Sequence, residues 1–201
     1  MSERSAAPAG LALVQDLVNT LDLETGADTL DTADGRARFG LTADDAARDE
    51  ARDEAGVESA RALREALRAA LLAHAGHPPH RAVVPLGTLL AQAPLVVTVD
   101  PADGSAALAP VDRGPLLSRV AAAVAEAVAA GTWTRLKACE AADCHWAYYD
   151  RSPAGRGRWC SMQVCGARAK MRRYRSKQPQ PQPAGTRQEP KRATEPQPRR
   201  A

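Results

Sequence analysis

The four cysteines of this 201-residue chain fall into two close pairs, and no cysteine lies elsewhere. Cys139 and Cys144 form the first pair, and Cys160 and Cys165 form the second. Two close pairs joined by a loop suit a tetrahedral zinc ion, because each turn supplies two thiolates. Four thiolates leave no open coordination position, so the pattern predicts one structural Zn²⁺ and no catalytic metal.

Other uses of these thiolates depend on where the protein resides. The first residues lack the basic start and apolar segment of a signal peptide, and no run of about 18 apolar residues occurs. We therefore expect a cytoplasmic protein, in which clustered cysteines are more often metal ligands than disulfides. A redox or iron–sulfur role stays an alternative, and His145, beside Cys144, is an alternative zinc ligand.

Charge is distributed unevenly around the cysteines. Residues 1–134 carry a net charge of −8, whereas residues 135–177 carry +8. An acidic body with a basic end predicts contact with a polyanion, although the basic end could instead dock on the acidic body. Arginines at this density suit phosphate oxygens, which gives affinity without sequence information. The predicted nucleic-acid-binding residues are Arg151, Arg156, Arg158, Arg168, Lys170, Arg172, Arg173, Arg175 and Lys177.

The residues after Cys165 predict a short basic helix at 166–177. One face of this helix, expected to pack inward, consists of Ala167, Met171 and Tyr174. A second face at the same spacing, expected to point outward, consists of Arg168, Arg172 and Arg175. The segment as a whole is too small for a core of its own, so its aromatic residues should cover the metal. Metal binding would then supply much of the folding free energy, on the order of 10 kcal/mol.

The preceding residues must position this segment, and their periodicity predicts a mainly α domain with one small β-hairpin, an α+β fold. Helices are expected at residues 11–23, 57–75, 83–91 and 115–130, and strands at 95–99 and 105–110. The last of these helices should bury Leu116, Leu117, Val120, Val124 and Val128. Residues 24–41 look irregular, and Thr42 and Asp45 resemble the start of a helix. The alternating acids and arginines up to Glu58 are expected to be a solvated helix face.

These elements predict four parts of the chain. Residues 1–10 form a flexible N-terminus and residues 11–131 a helical domain. Residues 132–177 form a small zinc-ribbon-like or treble-like module that ends in the basic helix. Residues 178–201 are rich in Pro, Gln and Arg, contain no large apolar residue and are expected to be a disordered tail.

Residues 136–174 resemble the CGNR zinc-finger family. The resemblance rests on the four cysteines and on three intervening matches: His145-Trp146, Tyr149 to Ser152, and Arg158-Trp159. After Cys165-Gly166 the chain departs from the family, because Ala167 stands where the family has Asn. The resemblance implies that the four cysteines bind zinc, while any role of that Asn is absent.

The start of the helical domain is similar to the domain called ABATE, which often precedes this zinc finger. The similarity lies in Leu17-Val18-Asn19-Thr20-Leu21, where Asn-Thr follows an apolar helix turn. Such proteins are described as stress-responsive transcription regulators, so the resemblance implies a domain that binds a ligand or a partner. Asn19 and Thr20 belong either to that binding site or to a structural cap. We favour the structural cap.

Together these patterns favour a zinc-dependent, DNA-binding transcriptional regulator with an N-terminal sensory or interaction domain. An RNA-binding zinc ribbon is one alternative, in which exposed aromatic side chains would stack on unpaired bases. A protein–protein adaptor that uses the basic module is another. No nucleophile set, phosphate loop or open metal site indicates an enzyme, and no feature indicates a membrane partner. The target sequence, any ligand of the first domain and the oligomeric state do not follow from the sequence.

Overall fold

A computed structural model describes residues 6–41 and 50–177 of the chain. The predicted tail at 178–201, most of the predicted flexible N-terminus and the predicted cap from Thr42 to Asp45 lie outside the described residues. The helices are α1 (Ala9–Val18), α2 (Ala33–Ala37), α3 (Glu50–His74), α4 (Leu86–Leu90), α5 (Leu116–Ala129) and α6 (Ala167–Ser176). The strands are β1 (Leu95–Val99), β2 (Ala106–Pro110), β3 (Leu136–Ala138) and β4 (Ala147–Tyr149).

Three helices, α1, α3 and α5, pack together around one apolar core. Their periodicity produces this packing because each helix places Leu or Val on one face at helical spacing. Leu17 of α1, Leu67 of α3 and Val120 of α5 are all completely buried. The mainly α fold with a small hairpin, predicted from the sequence, is confirmed.

Helix α3 lies at the centre of this core and buries charged as well as apolar residues. Arg64, Glu65 and Arg68 are each at least 97% buried, with exposed fractions of 3%, 1% and 1%. Arg64 donates to Asp28 at 2.7 Å, and Arg68 donates to the carbonyl of Val18 at 2.7 Å. Burial by itself raises the pKa of Glu65. The hydrogen bonds from Arg68 and Arg64 lower the pKa by a larger amount, so the net shift is downward. These bonds tie α3 to the last residue of α1 and to the segment that follows it.

The segment at 24–41, expected to be irregular, is partly helical. It contains a 3₁₀ turn at Thr29–Asp31 and then α2. The expectation was wrong because side-chain caps, which leave no hydrophobic periodicity, stabilise these short elements. The Asp28 carboxylate accepts a hydrogen bond from the Leu30 amide, and the Thr32 hydroxyl accepts one from the Gly35 amide.

The second hairpin joins the zinc-module sequence to the helical core. Strands β3 and β4 pair in antiparallel register, with Leu136 opposite Tyr149 and Ala138 opposite Ala147. Leu136, Ala138 and Ala147 are completely buried in the same core as the helices. Strand β3 packs against α3 and β4 against α1. The module therefore shares a core with the preceding region and does not rely on the metal alone.

The predicted buried face of α5 is buried only over part of the helix. Leu116, Val120 and Val124 are buried as expected, but Val128 is 57% exposed. Val128 lies in the last turn of α5, beside Ala127, which is buried. No helix among the described residues is long and apolar enough to cross a membrane.

The difference between Val120 and Val128 gives a matched test of this core. We expect Val120→Ala to lower the free energy of unfolding by about 2 kcal/mol, because it removes buried methyl groups and leaves a cavity. Val128→Ala, the same change on the same helix, should alter it by less than about 0.5 kcal/mol. Urea unfolding followed by circular dichroism measures both values, and equal losses would contradict the packing described here.

Candidate metal centre

The four cysteines come from two local structures that the fold brings together. Cys139 directly follows β3, and Cys144 precedes β4, so the first pair sits in the turn of the hairpin. Cys160 lies two residues before a short π-helical segment, Met162–Gly166, which contains Cys165 and leads into α6. A hairpin turn thus faces the first turn of a helix, in agreement with the predicted ribbon-like or treble-like module.

The distances between the sulfur atoms fit a single zinc ion. The four Sγ atoms all lie within 4.8 Å of one another. The Sγ of Cys160 lies 3.7 Å from that of Cys144 and 3.7 Å from that of Cys165. Tetrahedral coordination with Zn–S bonds of about 2.3 Å places sulfur atoms about 3.8 Å apart. Among the described residues this is the only such cluster of potential metal ligands.

The electrostatics of the cluster also favour a cation. Hydrogen bonds from the thiols of Cys144 and Cys160 lower the pKa of Cys139 to about 4. Hydrogen bonds with the thiols of Cys139 and Cys144, followed by burial, raise the pKa of Cys160 far above its ordinary value. Four close thiols therefore lose one proton readily and the others only with difficulty. A divalent ion removes this repulsion and allows all four to bind as thiolates.

Aromatic side chains cover the cysteines, as the composition of the segment predicts. Tyr148 is buried beside Cys139, Cys160 and Cys165, and Trp146 and Trp159 pack against the same cluster. Burial, followed by the charge of Asp150, raises the pKa of Tyr148. Tyr148 therefore stays neutral, and three of the four cysteines are buried, while Cys144 is partly exposed.

Two residues shape the turns that carry the ligands. His145 has a positive φ of 45°, and its Nδ1 lies 3.0 Å from the carbonyl oxygen of Cys139, which closes the hairpin turn. In the second turn, a Cβ on Gly166 would lie 3.1 Å from the Met162 Sδ and 3.3 Å from Trp159 Cδ1, so a larger residue would crowd it. Ala167, where the family has Asn, is exposed at the first position of α6.

A buried ion pair organises the loop between the two cysteine pairs. Lys137 Nζ donates to Asp150 at 2.9 Å and to the carbonyl oxygen of Gly155 at 2.5 Å. Asp150 also accepts hydrogen bonds from the backbone amides of Ser152 and Gly157. Burial raises the pKa of Asp150, but the bonds from Ser152 and Lys137 lower it well below its ordinary range. The loop is therefore held in one conformation by a charged side chain at its centre.

The sequence reasoning did not identify Lys137 and Asp150 as a pair. The two residues are 13 positions apart: Lys137 lies in β3, and Asp150 directly follows β4. One feature of the sequence could have identified the pair: Asp150 is the acidic residue of the segment Tyr149 to Ser152, on which the family resemblance partly rests. A lone Asp in a basic region needs a cationic partner when it is buried.

Asn19 connects the helical region to the hairpin that holds the first cysteine pair. Its side-chain oxygen accepts from the Ala147 amide at 2.7 Å, and its side-chain nitrogen donates to the Ala147 carbonyl at 3.0 Å. Gln15 donates to the same carbonyl at 3.1 Å. The neighbouring Thr20 donates to the carbonyl of Leu17 and accepts from Arg64. Both residues therefore make structural contacts, and the Asn19 contact spans 128 residues of sequence.

The predicted nucleic-acid-binding residues fall into two groups. Three of them already have partners: Arg158 pairs with Glu140, Arg168 with Glu24, and Arg151 donates to the carbonyl of Ala6. The others are exposed and make no ion pair with any described residue. This second group consists of Arg156, Lys170, Arg172, Arg173, Arg175 and Lys177.

The expected inward face of α6 does not pack inward. Ala167 is exposed, and Met171 and Tyr174 are 50% and 60% exposed. The prediction was wrong because α6 packs mainly against the short π-helical segment before it, which leaves this face uncovered. The helix therefore projects from the zinc centre, held at its first turn.

Comparison with known families agrees with this architecture: the chain is a zinc-finger protein with a helical N-terminal region. Residues 11–131 match the ABATE family, described as "Putative stress-induced transcription regulator", and residues 135–178 match the CGNR zinc finger. The first match covers more than half of the chain, so the protein belongs to the ABATE family and carries a CGNR zinc finger. No protein with a curated description is significantly similar to it. The predicted family and structural zinc are confirmed.

Removal of the Asn19 side chain tests the connection between the two regions. We expect Asn19→Ala to lower the free energy of unfolding by about 1–3 kcal/mol, because the amide of the buried Ala147 loses its acceptor while the carbonyl keeps only the bond from Gln15. Gln92→Ala, which removes an exposed amide, is the control and should leave stability unchanged. Urea unfolding measures both, and equal effects of the two changes would show that the Asn19 contact adds nothing.

Zinc removal tests the centre itself. All three tryptophans lie at 133–159, so their fluorescence reports on this region. We expect a strong chelator to release one zinc per chain and shift the tryptophan emission to the red, because the side chains covering the centre become solvated. Addition of Zn²⁺, but not of Mg²⁺, should restore the emission. A chain that contains no zinc yet keeps its emission in chelator would contradict the assignment.

Proposed function

We propose that the protein is a DNA-binding transcriptional regulator, in which Zn²⁺ held by the four cysteines fixes α6 as a basic helix for duplex DNA. The observation that carries this proposal is the second group of basic residues, five of which lie at 170–177 with no described acidic partner. The family to which the chain belongs is described as "Putative stress-induced transcription regulator", and this description supports DNA over other polyanions.

The shape of α6 supports a groove contact. The helix has ten residues, and none of them is buried. An α-helix with its side chains is about 10–12 Å wide, close to the width of the major groove of B-form DNA. Arg172 and Arg175 lie one turn apart on one face, where both can reach phosphate oxygens. These contacts would supply affinity, and sequence preference would need further base contacts.

The aromatic side chains of the module favour DNA over single-stranded RNA. Stacking on unpaired bases requires exposed rings. Tyr148 is buried, and Trp146, Tyr149 and Trp159 are only partly exposed because they pack around the cysteines and the core. Tyr174 is the aromatic residue of the module that is well exposed. The rings of the zinc centre thus serve packing, which leaves phosphate contact as the main means of binding.

The N-terminal region supplies the sensory or interaction function in this proposal. A cleft of about 380 Å³ lies between α3, α4 and α5, with Leu63, Leu89 and Leu116 among its apolar lining residues. Its size falls within the usual range of small-molecule sites. We further propose the division into residues 11–131 and 132–177, a cytoplasmic location and no enzymatic activity. Both matched families are of regulatory and zinc-finger type.

Neutralisation of α6 tests DNA binding. We expect the double variant Arg172→Gln/Arg175→Gln to weaken binding to duplex DNA on the order of tenfold at moderate salt. The slope of log K against log salt should become shallower by about 2, since about one counterion per lost phosphate contact is no longer released. Electrophoretic shifts across a series of salt concentrations measure both quantities.

The matched control removes two charges elsewhere. Arg38 and Arg113 are exposed in the N-terminal region, and Arg38→Gln/Arg113→Gln should leave affinity and salt slope unchanged. The same panel includes single-stranded DNA and structured RNA. Preference for either of these would favour the RNA-binding alternative. If the α6 variant bound duplex DNA as well as the parent does, the adaptor function would replace this proposal.

A further inference from the structure

The cleft between α3, α4 and α5 has an uncharged lining. None of its twelve lining residues carries a charge, although a quarter of the residues in the chain do. Leu63 and Leu116 of this lining are buried in the core, whereas Leu89 and Leu117 are only partly buried. A bound apolar molecule would cover the apolar surface that these side chains leave in water. A charged molecule would lose hydration there without gaining a partner, so the lining favours an uncharged ligand.

Two polar side chains line the cleft, and one of them is already bonded. The Ser59 hydroxyl donates to the Ala55 carbonyl at 2.8 Å. The side-chain amide of Gln92 is exposed and makes no hydrogen bond with a described residue. Arg119 of α5 does not line the cleft, and its guanidinium donates to the Phe39 carbonyl at 2.6 Å. The cleft thus offers one neutral amide, which can both donate and accept.

Gly56 leaves part of the cleft open. It lies inside α3, where glycine destabilises a helix relative to alanine. Its φ is not positive, and a Cβ added to it would meet no described atom within 4 Å, so neither conformation nor crowding requires glycine. With Ser59, Ala60 and Leu63, which follow at helical spacing, it lies on the face of α3 that lines the cleft. The missing side chain leaves this space available to a ligand.

The volume of the cleft distinguishes a small molecule from a protein segment. One turn of an α-helix with its side chains, about 10 Å wide and 5.4 Å long, fills about 420 Å³. The cleft has about 380 Å³, so it cannot hold even one such turn. At the packing density of protein interiors this volume has room for roughly 15–20 non-hydrogen atoms. The occupant that fits is therefore a small molecule.

We propose that the cleft binds an uncharged, mainly apolar small molecule of roughly 15–20 non-hydrogen atoms, with one group that hydrogen-bonds to the Gln92 amide. The apolar body of the ligand lies against Leu63 and Leu116. This inference rests on the sensory role proposed above for the N-terminal region and names the class of ligand for that role.

Binding of N-phenyl-1-naphthylamine, an uncharged probe of about 17 non-hydrogen atoms with one N–H group, tests the proposal. The zinc-loaded full chain is titrated into a fixed low concentration of the probe, whose emission rises and shifts to the blue in apolar surroundings. We expect a single saturable curve with a Kd on the order of 100 μM. Anilinonaphthalene sulfonate, which has the same rings and an added sulfonate, should bind on the order of tenfold more weakly.

Gly56→Leu places a side chain in the cleft and should weaken binding of the uncharged probe on the order of tenfold. Leucine has a higher helix propensity than glycine, so α3 should be retained. Gly87→Leu is the matched control, because Gly87 is an exposed helical residue of α4 that does not line the cleft. A Cβ at Gly87 also meets no described atom within 4 Å. This variant should bind the probe like the parent, and circular dichroism and zinc content should be unchanged in both.

Three results would overturn the proposal. The first is a parent chain that shows no saturable binding of the uncharged probe. The second is binding of the sulfonated probe that is as tight or tighter. The third is Gly56→Leu that binds like the parent or loses no more affinity than Gly87→Leu, since the probe would then lie on another apolar surface, such as the exposed face around Val97.

Probe binding is measured without nucleic acid, so the two proposals can fail separately. A parent chain that does not bind DNA would contradict the proposed function and leave the probe measurements unchanged. A parent chain that binds DNA but not the probe would contradict only the ligand class.

Discussion

The short strand β3 determines how the zinc centre sits on the helices. Leu136 and Ala138 are completely buried in the helical core, and the next residue, Cys139, is the first sulfur of the cluster. No residue lies between the core contact and the metal ligand, so the hairpin cannot shift on α3 without moving the centre. The metal and the apolar core therefore stabilise the same hairpin from its two ends.

Helix α6 follows from this arrangement. Cys165 fixes the segment that leads into its first turn, while the rest of the helix is largely exposed and carries four basic residues that make no ion pair with any described residue. A basic helix that packed along the acidic body would lose its charges to ion pairs, and among the described residues only Arg168 of α6 makes one, with Glu24. The turn that contains Cys160 and Cys165 thus keeps these charges available to a polyanion. The same arrangement leaves Met171 and Tyr174 exposed to water.

The sequence predicted those features that depend on local spacing. The cysteine pairs and the apolar stripes of α1, α3 and α5 repeat within a few residues, so their partners could be inferred. The inward face of α6 was wrong because periodicity shows that a face exists but not that anything covers it. The contact of Asn19 with Ala147 had no local signal, since the two are 128 residues apart. Buried charges such as Arg68 were missed because charged residues usually lie in water.

The contacts between the two matched regions also relate the helical region to α6. His74, the last residue of α3, has its Nδ1 2.8 Å from the Leu136 carbonyl, and Asn19 after α1 bonds to Ala147. Each strand of the zinc hairpin is thus attached to a different helix. A relative movement of α1 and α3 would have to break one attachment or distort the pairing of β3 with β4. Because Cys139 and Cys144 flank that pairing, the distortion would reach the metal centre and the helix it holds.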